Sequence, residues 1–175
     1  MAEFLGPLEL VGDRWIIGDP KREGGSCVVL TAEGLEHHKQ GEREPLAVVP
    51  WSRVVELGVQ ATAWAWMATR TAGVLDALGG SRMGGGRSGC SVGGLLRHPY
   101  EGWSVNYTHH ERPYTGAHVF LVHQLFLKTS EARAVRRLGD PEWLGEAVAR
   151  VAPLRAWWMY SAARSVKEII EDIGT

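Results

Sequence analysis

The sequence predicts an α+β fold that is mainly antiparallel β, with a capping helix and one further helix at the C-terminal end. Short apolar runs in the first 60 residues are separated by turn signals every few residues, which is typical of an antiparallel meander. Two segments after residue 139 carry apolar side chains at helical spacing. A chain of 175 residues, 45% of them hydrophobic, can also bury a core of its own.

The meander accounts for the first part of the chain. Turns are predicted at Ala32-Glu33-Gly34 and Gln40-Gly41-Glu42, where glycine can adopt a positive φ. The apolar runs between the turns are the predicted strands. They are Trp15–Ile17, Cys27–Thr31, Leu35–Lys39, Pro45–Val49 and Arg53–Gln60.

The pattern changes after residue 60. The segment from Ala61 either extends the last strand to Trp66 or forms a short helix over Ala72–Leu78. Residues 79–94 are dominated by glycine and serine. Such residues cannot fill a core and lose much conformational entropy on ordering, so we expect a loosely ordered insert here.

Two strand-like segments follow the insert, "GWSVNYTHH" and "GAHVFLVHQLFLKT". They flank "ERPYTG" and therefore predict a β-hairpin with a loop of moderate length. The second segment is apolar at nearly every position, which is typical of a central strand covered on both faces.

Two helices are predicted at the C-terminal end. Asp140 is a good N-cap and Pro141 suits the first helical position. The first helix carries one apolar stripe, formed by Trp143, Leu144, Ala147, Val148 and Val151. After Pro153 a second helix is predicted over Leu154–Ile173, with a broad apolar face that includes Trp157 and Trp158. That face is wide for a terminal helix, so contact with another chain is a hypothesis for it.

Composition argues against several classes of function. Nineteen Lys and Arg residues against 20 Asp and Glu residues leave a net charge of −1, which disfavours nonspecific nucleic-acid binding. Cys27 and Cys90 cannot form a disulfide framework.

No signal-peptide pattern is evident, and Arg70 interrupts the most apolar segment, so no transmembrane segment is predicted. We therefore expect a soluble, cytoplasmic protein.

One motif suggests catalysis. Gly89-Cys90-Ser91-Val92-Gly93 matches the Gly-x-Ser-x-Gly nucleophile elbow of serine hydrolases. The glycine-rich sequence before it offers no strand to lead into an elbow, which favours a chance match. A triad with Ser91 would have to use Glu101 or Glu111 together with His118 or His123. A phosphate-binding loop at Gly80–Arg87 fits still less well, because its glycine spacing is one residue too long.

The histidines and arginines offer weaker candidates. In the predicted hairpin His109 lies opposite His118, and two such imidazoles can share a metal ion. No cysteine or carboxylate is placed to complete that site, which favours a plain polar pair. Arg133, Arg136 and Arg137 form a small basic face if their segment is helical, although a solvated surface is the commoner case. No catalytic residue, metal site or cofactor is therefore predicted.

The stretch from Val28 to Val59 resembles the opening meander of bacterial pleckstrin-homology-like (PH-like) domains. The resemblance is carried by the turn Leu30-Thr31-Ala32-Glu33-Gly34-Leu35, the step Pro50-Trp51, and the predicted hairpin followed by "DPEWLGEAVARV". It covers Gly24–Val151 and implies a bent antiparallel barrel with a capping helix. The implied domains are residues 1–152, with the glycine-rich insert at about 79–94, and an amphipathic helix over residues 153–175.

The resemblance implies a non-enzymatic binding or scaffolding module for a protein partner or for self-association. The phosphoinositide-binding loop of eukaryotic members would correspond to the turn near Lys39 and Arg43, where Glu42 and Glu44 oppose that role. No ligand residues are carried over, and no small-molecule ligand is indicated. The alternative function is a small serine hydrolase that uses Ser91.

Overall fold

The computed structural model of the chain describes residues 3–62, 90–154 and 159–174. Within these ranges the backbone forms nine β-strands and three α-helices. The strands are β1 (Phe4–Leu5), β2 (Leu8–Val11), β3 (Arg14–Ile17), β4 (Ser26–Leu30), β5 (Gly34–Lys39), β6 (Ala47–Pro50), β7 (Val54–Gln60), β8 (Ser91–Leu96) and β9 (Glu101–Asn106). The helices are α1 (Gly116–Glu131), α2 (Pro141–Val151) and α3 (Met159–Ile173), and 3-10 turns cover Trp51–Arg53 and Val135–Gly139.

The first six strands form one sheet in which each strand pairs antiparallel with the next. This order confirms the predicted meander from Trp15 to Val49, but the predicted strand Arg53–Gln60 does not join it, because β7 belongs to the other sheet. Gly41 lies between β5 and β6 with a φ of +88°, a conformation that favours glycine. The short hairpin of β1 and β2 precedes the first predicted strand and pairs with it.

The last three strands form a second antiparallel sheet in the order β7-β8-β9. β8 begins at Ser91, so the end of the predicted loose insert is in fact the central strand of this sheet. The partner of β9 is β8, and the hairpin predicted around "ERPYTG" is wrong. The rest of the insert, residues 79–89, lies outside the described residues, as do Trp66 and the possible helix at Ala72–Leu78.

The segment predicted as the second strand of that hairpin is helix α1. Thr115 caps the helix, and its side chain accepts a hydrogen bond from the backbone N–H of His118 at 3.1 Å. The fully buried apolar positions recur with helical spacing, as Leu121, Val122, Leu125 and Phe126. A run that is apolar at nearly every position fits a buried strand and a buried helix equally well, and its length of 16 residues is the feature that favours a helix.

Both predicted C-terminal helices are present, although the second is described from Met159 and its predicted first residue, Leu154, is not helical. The Asp140 carboxylate accepts hydrogen bonds from the backbone N–H groups of Glu142 and Trp143, and the predicted apolar stripe of α2 is buried. In α3, Ala162, Val166 and Ile170 are buried. Helix α3 packs against α1 and α2, so this part of its apolar face is used within the chain. Trp157 and Trp158 lie outside the described residues.

The two sheets and three helices enclose one main hydrophobic core. The sheets are tied together just after β9, where the backbone N–H of Thr108 donates to the carbonyl of Ser26 at 2.8 Å. Neither sheet closes on itself within the described ranges, so the α+β, mainly antiparallel class holds but the bent barrel implied by the resemblance does not follow. Among the described residues, no helix has both the length and the apolar character needed to cross a membrane.

Candidate functional site

The outer face of the three-stranded sheet carries a groove of about 390 Å³, which we call the glycine groove. Its floor comes from β7, β8 and β9, and helix α1 forms one wall. A volume of this size lies in the range of ligand-binding clefts. The lining residues are Glu56, Leu57, Gly58, Gln60, Ser91, Gly93, Gly94, Trp103, Ser104, His123 and Leu127.

The strand register explains why the floor is open. Ser104, Gly93 and Gly58 lie side by side on the three strands, so their side chains belong to the same face of the sheet. Two of these three positions are glycine and carry no side chain. The ring of His123 takes up the space above Gly58, because a Cβ there would lie 3.1 Å from the ring carbon Cε1. The groove therefore runs across the strands from Ser104 toward His123.

Helix α1 covers the free edge of β7. The backbone N–H of Leu57 donates to the Ser130 hydroxyl at 3.0 Å, and the Nδ1–H of His123 donates to the carbonyl of Val59 at 3.3 Å. Because a carbonyl oxygen can only accept, this contact places the ring proton on Nδ1 in the neutral imidazole and leaves Nε2 as an acceptor. Two helix side chains thus take the place of a neighbouring strand on this edge.

The opposite edge of the sheet, along β9, is open at two residues. In an antiparallel pair alternate residues direct their N–H and C=O groups to the same side. Tyr107 donates its N–H to Cys90 on the β8 side, while the Asn106 carbonyl accepts from the Ser26 hydroxyl on the far side, at 3.1 Å in both cases. By this alternation the backbone N–H and C=O groups of Gly102 and Ser104 point away from β8. Both are exposed, and their outward backbone groups have no hydrogen-bond partner among the described residues.

The residues proposed for a serine-hydrolase triad are only partly brought together. Ser91 and His123 both line the glycine groove, but no hydrogen bond joins them. Ser91 begins a strand and is not on a strand-to-helix turn, which is what an elbow requires. Neither candidate carboxylate joins the pair. Glu101 forms an ion pair with Arg53 at 2.6 Å, and Glu111 lines a different cleft.

We expect Ser91 to be unreactive toward serine-directed reagents. Without a base in hydrogen-bond contact the hydroxyl keeps its proton and is a weak nucleophile. Intact-mass measurement after incubation with a fluorophosphonate should show unmodified protein. A mass increase that disappears in the Ser91→Ala variant would contradict this expectation and support the hydrolase alternative.

A second group of polar residues lies in the loop between β9 and α1. His109, His110 and Tyr114 are each buried, and the rings of His109 and Tyr114 stack with centroids 4.0 Å apart. The Tyr114 hydroxyl accepts the backbone N–H of His110 at 3.0 Å and donates to Nδ1 of the same residue at 2.6 Å. This pattern leaves the proton of the neutral ring on Nε2, 3.1 Å from the Glu9 carboxylate but outside hydrogen-bond geometry.

Burial controls the ionisation of this cluster. The pKa of His110 is lowered from 6.5 to about 4, mainly by burial; the positive charges of Arg112 and His109 contribute to this shift, and Glu9 and Asp19 oppose it. Burial also raises the pKa of the Tyr114 hydroxyl. Arg112 donates to the Gly6 carbonyl and to Glu9, both at 3.0 Å. The cluster therefore holds the loop against the β1–β2 hairpin with His110 neutral.

An open cleft of about 420 Å³ lies beside this cluster. Its lining is ionisable throughout, with Glu9, Asp19, Lys21, Arg22, His110, Glu111 and Arg112. The Nε2 atom of His110 is shielded from solvent, and Arg112 is held by Glu9 and Gly6. Cations and carboxylates are mixed in this lining, so the cleft presents no single charge to a ligand. The arrangement fits a structural role for the cluster better than acid–base chemistry.

The remaining candidates from the sequence are separated in space. His118 lies on α1 with its ring edge-on to Phe4, so it does not face His109 across a hairpin as predicted. Helix α1 ends before Arg133, and Arg136 and Arg137 lie in a 3-10 turn. Among the described residues no three His, Cys, Asp or Glu side chains are grouped to hold a metal ion. Gly80, Gly86 and Arg87 lie outside the described ranges.

Comparisons of the chain with models of protein families, with curated proteins and with solved structures found no match. The glycine groove and the open β9 edge were not among the predicted sites. The only signal for them was the pair Gly93-Gly94 beside the alternating "GWSVN", which identifies a strand interior that lacks side chains.

Proposed function

We propose that the protein is a non-enzymatic, PH-like binding module whose partner is another protein. The observation that carries this proposal is the open edge of β9 at Gly102 and Ser104. Exposed backbone N–H and C=O groups on a sheet edge can pair with an extended segment of another chain. We place the binding site at this edge and in the glycine groove beside it.

Two further features support a binding role. The helical wall on the β7 side and the open β9 side leave the sheet able to accept a strand at one edge only. Ser104 belongs both to that edge and to the groove lining, so a paired segment would lie next to the groove. The element order also supports the PH-like assignment, since a meander precedes a short antiparallel sheet and a helix.

The binding proposal predicts that Ser104→Pro loses peptide binding by at least tenfold while the fold is kept. Proline removes an N–H that points away from β8, so the β8–β9 hydrogen bonds remain. Peptides selected from a phage-displayed library of random heptapeptides would be measured by fluorescence anisotropy. Circular dichroism would confirm that the variant is folded.

Ser104→Val is the matched control, because valine keeps the backbone N–H and favours a strand. It should bind the selected peptides nearly as well as the native protein. Equal binding by Ser104→Pro, or a library that yields no binder, would contradict pairing at β9.

A further inference from the structure

We infer that the glycine groove selects a partner segment with a long basic side chain, arginine or lysine, at the position that pairs with Ser104. The inference rests on the proposed function, because it requires a strand added at β9. It goes further by naming the chemistry that the groove recognises.

A partner side chain must face the groove and be long enough to reach across it. A residue paired with Ser104 projects its side chain on the same face as Ser104, which is the face of the groove. Neighbouring strands lie about 4.8 Å apart, so only a long side chain passes Ser104 and extends over the next strand. Gly93 is the residue there and carries no side chain, and the ring of His123 lies over Gly58 beyond it.

The charge of the groove lining favours a cation. Among the described residues that line the groove, Glu56 is the only carboxylate and none is lysine or arginine. It is exposed and forms no ion pair within the described part of the chain. Glu56 lies two residues before Gly58 on β7, so it lies on the same face of the sheet, beside the floor of the groove. A cation over Gly93 would therefore meet an available opposite charge.

The groove lining also offers hydrogen-bond acceptors. Nε2 of His123 is left as an acceptor by the contact of Nδ1 with Val59, and the Ser91 hydroxyl has no partner among the described residues. The side-chain carbonyl of Gln60 can also accept. A guanidinium or ammonium group supplies only donors, so it suits a lining with several acceptors and one negative charge.

The test uses a selected heptapeptide whose binding is lost in Ser104→Pro. Three versions carry Arg, Gln or Glu at the position that pairs with Ser104, identified by substitution along the peptide. We expect the Arg version to bind the native protein about tenfold more tightly than the Gln version, with the Glu version weakest. Glu56→Gln should remove that preference. Glu42→Gln, an exposed change in the turn between β5 and β6, is the matched control and should keep the preference.

The outcomes separate the two proposals. Peptides that bind in a Ser104-dependent way without any preference for a basic residue, or whose preference survives Glu56→Gln, would overturn the inference and leave the binding module intact. A library that yields no binder, or binding that Ser104→Pro does not affect, would overturn both.

Discussion

Replacing Gly139 with alanine is expected to lower the free energy of unfolding by about 3 kcal/mol. Gly139 is buried at the end of the 3-10 turn before α2. An added Cβ would overlap the carbonyl oxygen of Thr31 and lie 2.6 Å from Nε1 of Trp51. That indole nitrogen donates to the same Thr31 carbonyl at 2.8 Å, so the methyl group would displace both the backbone and a buried hydrogen bond.

Urea unfolding of Gly139→Ala and of Gly145→Ala, compared with the native protein, measures this effect. Gly145 lies inside α2, and a Cβ there meets only Trp15 Cζ2 at 3.9 Å, an ordinary contact. Alanine favours a helix interior over glycine by roughly 1 kcal/mol, so Gly145→Ala should be neutral or stabilising. Equal stability of the two variants would mean that Gly139 is not packed as described.

Acidification from pH 6.5 to pH 4 is expected to remove about 3 kcal/mol of stability through His110 alone. The folded protein keeps this ring neutral down to a pKa of about 4, while the unfolded chain takes up a proton near the ordinary value of 6.5. The unfolded state therefore binds more protons within this window. The His110 contribution is complete above pH 6.5, falls through the window, and changes no further below pH 4. Burial also lowers the pKa of His37 and His118, so their contributions have the same sign.

The His110→Asn variant tests this contribution, because asparagine can still accept a hydrogen bond from Tyr114. Its unfolding free energy, measured in urea at pH 7 and at pH 4.5, should depend on pH less than that of the native protein. Tyr114→Phe removes the hydroxyl but leaves His110 buried, so it should lose stability at pH 7 and keep the native pH dependence. If His110→Asn retained the full dependence, His110 would not be the group that causes it.

Prediction of the fold from the sequence was most accurate at positions where a residue type strongly favours one local structure. Asp140 followed by Pro141 marks the start of α2, and turn glycines such as Gly41 mark the meander. These signals depend only on residues that are neighbours in the sequence, so they can be interpreted without knowledge of the tertiary structure. The same holds for the apolar stripe of α2, whose spacing alone identifies the buried face.

Two errors came from signals that tertiary contacts decide. Helix α1 is apolar at nearly every position because the β7 edge, α3 and the core contact it on several sides, and such a sequence also fits a covered strand. Gly93 and Gly94 suggest a loop by composition. In the structure a Cβ at Gly94 would overlap the Glu56 carbonyl, so glycine is needed at this position for the close contact between β8 and β7. The groove depends on this pairing of distant strands, which the glycine pair beside the alternating "GWSVN" does not specify.

The contrast between the two edges of the three-stranded sheet limits how copies of the protein can assemble through it. An edge that is sealed by a helix and an edge that is open cannot continue a sheet from one molecule to the next, because every added molecule would need two open edges. Strand pairing between copies through the described strands of this sheet joins β9 to β9 about a two-fold axis. Such an assembly is closed at two subunits, so these described strands do not continue from molecule to molecule into a fibre.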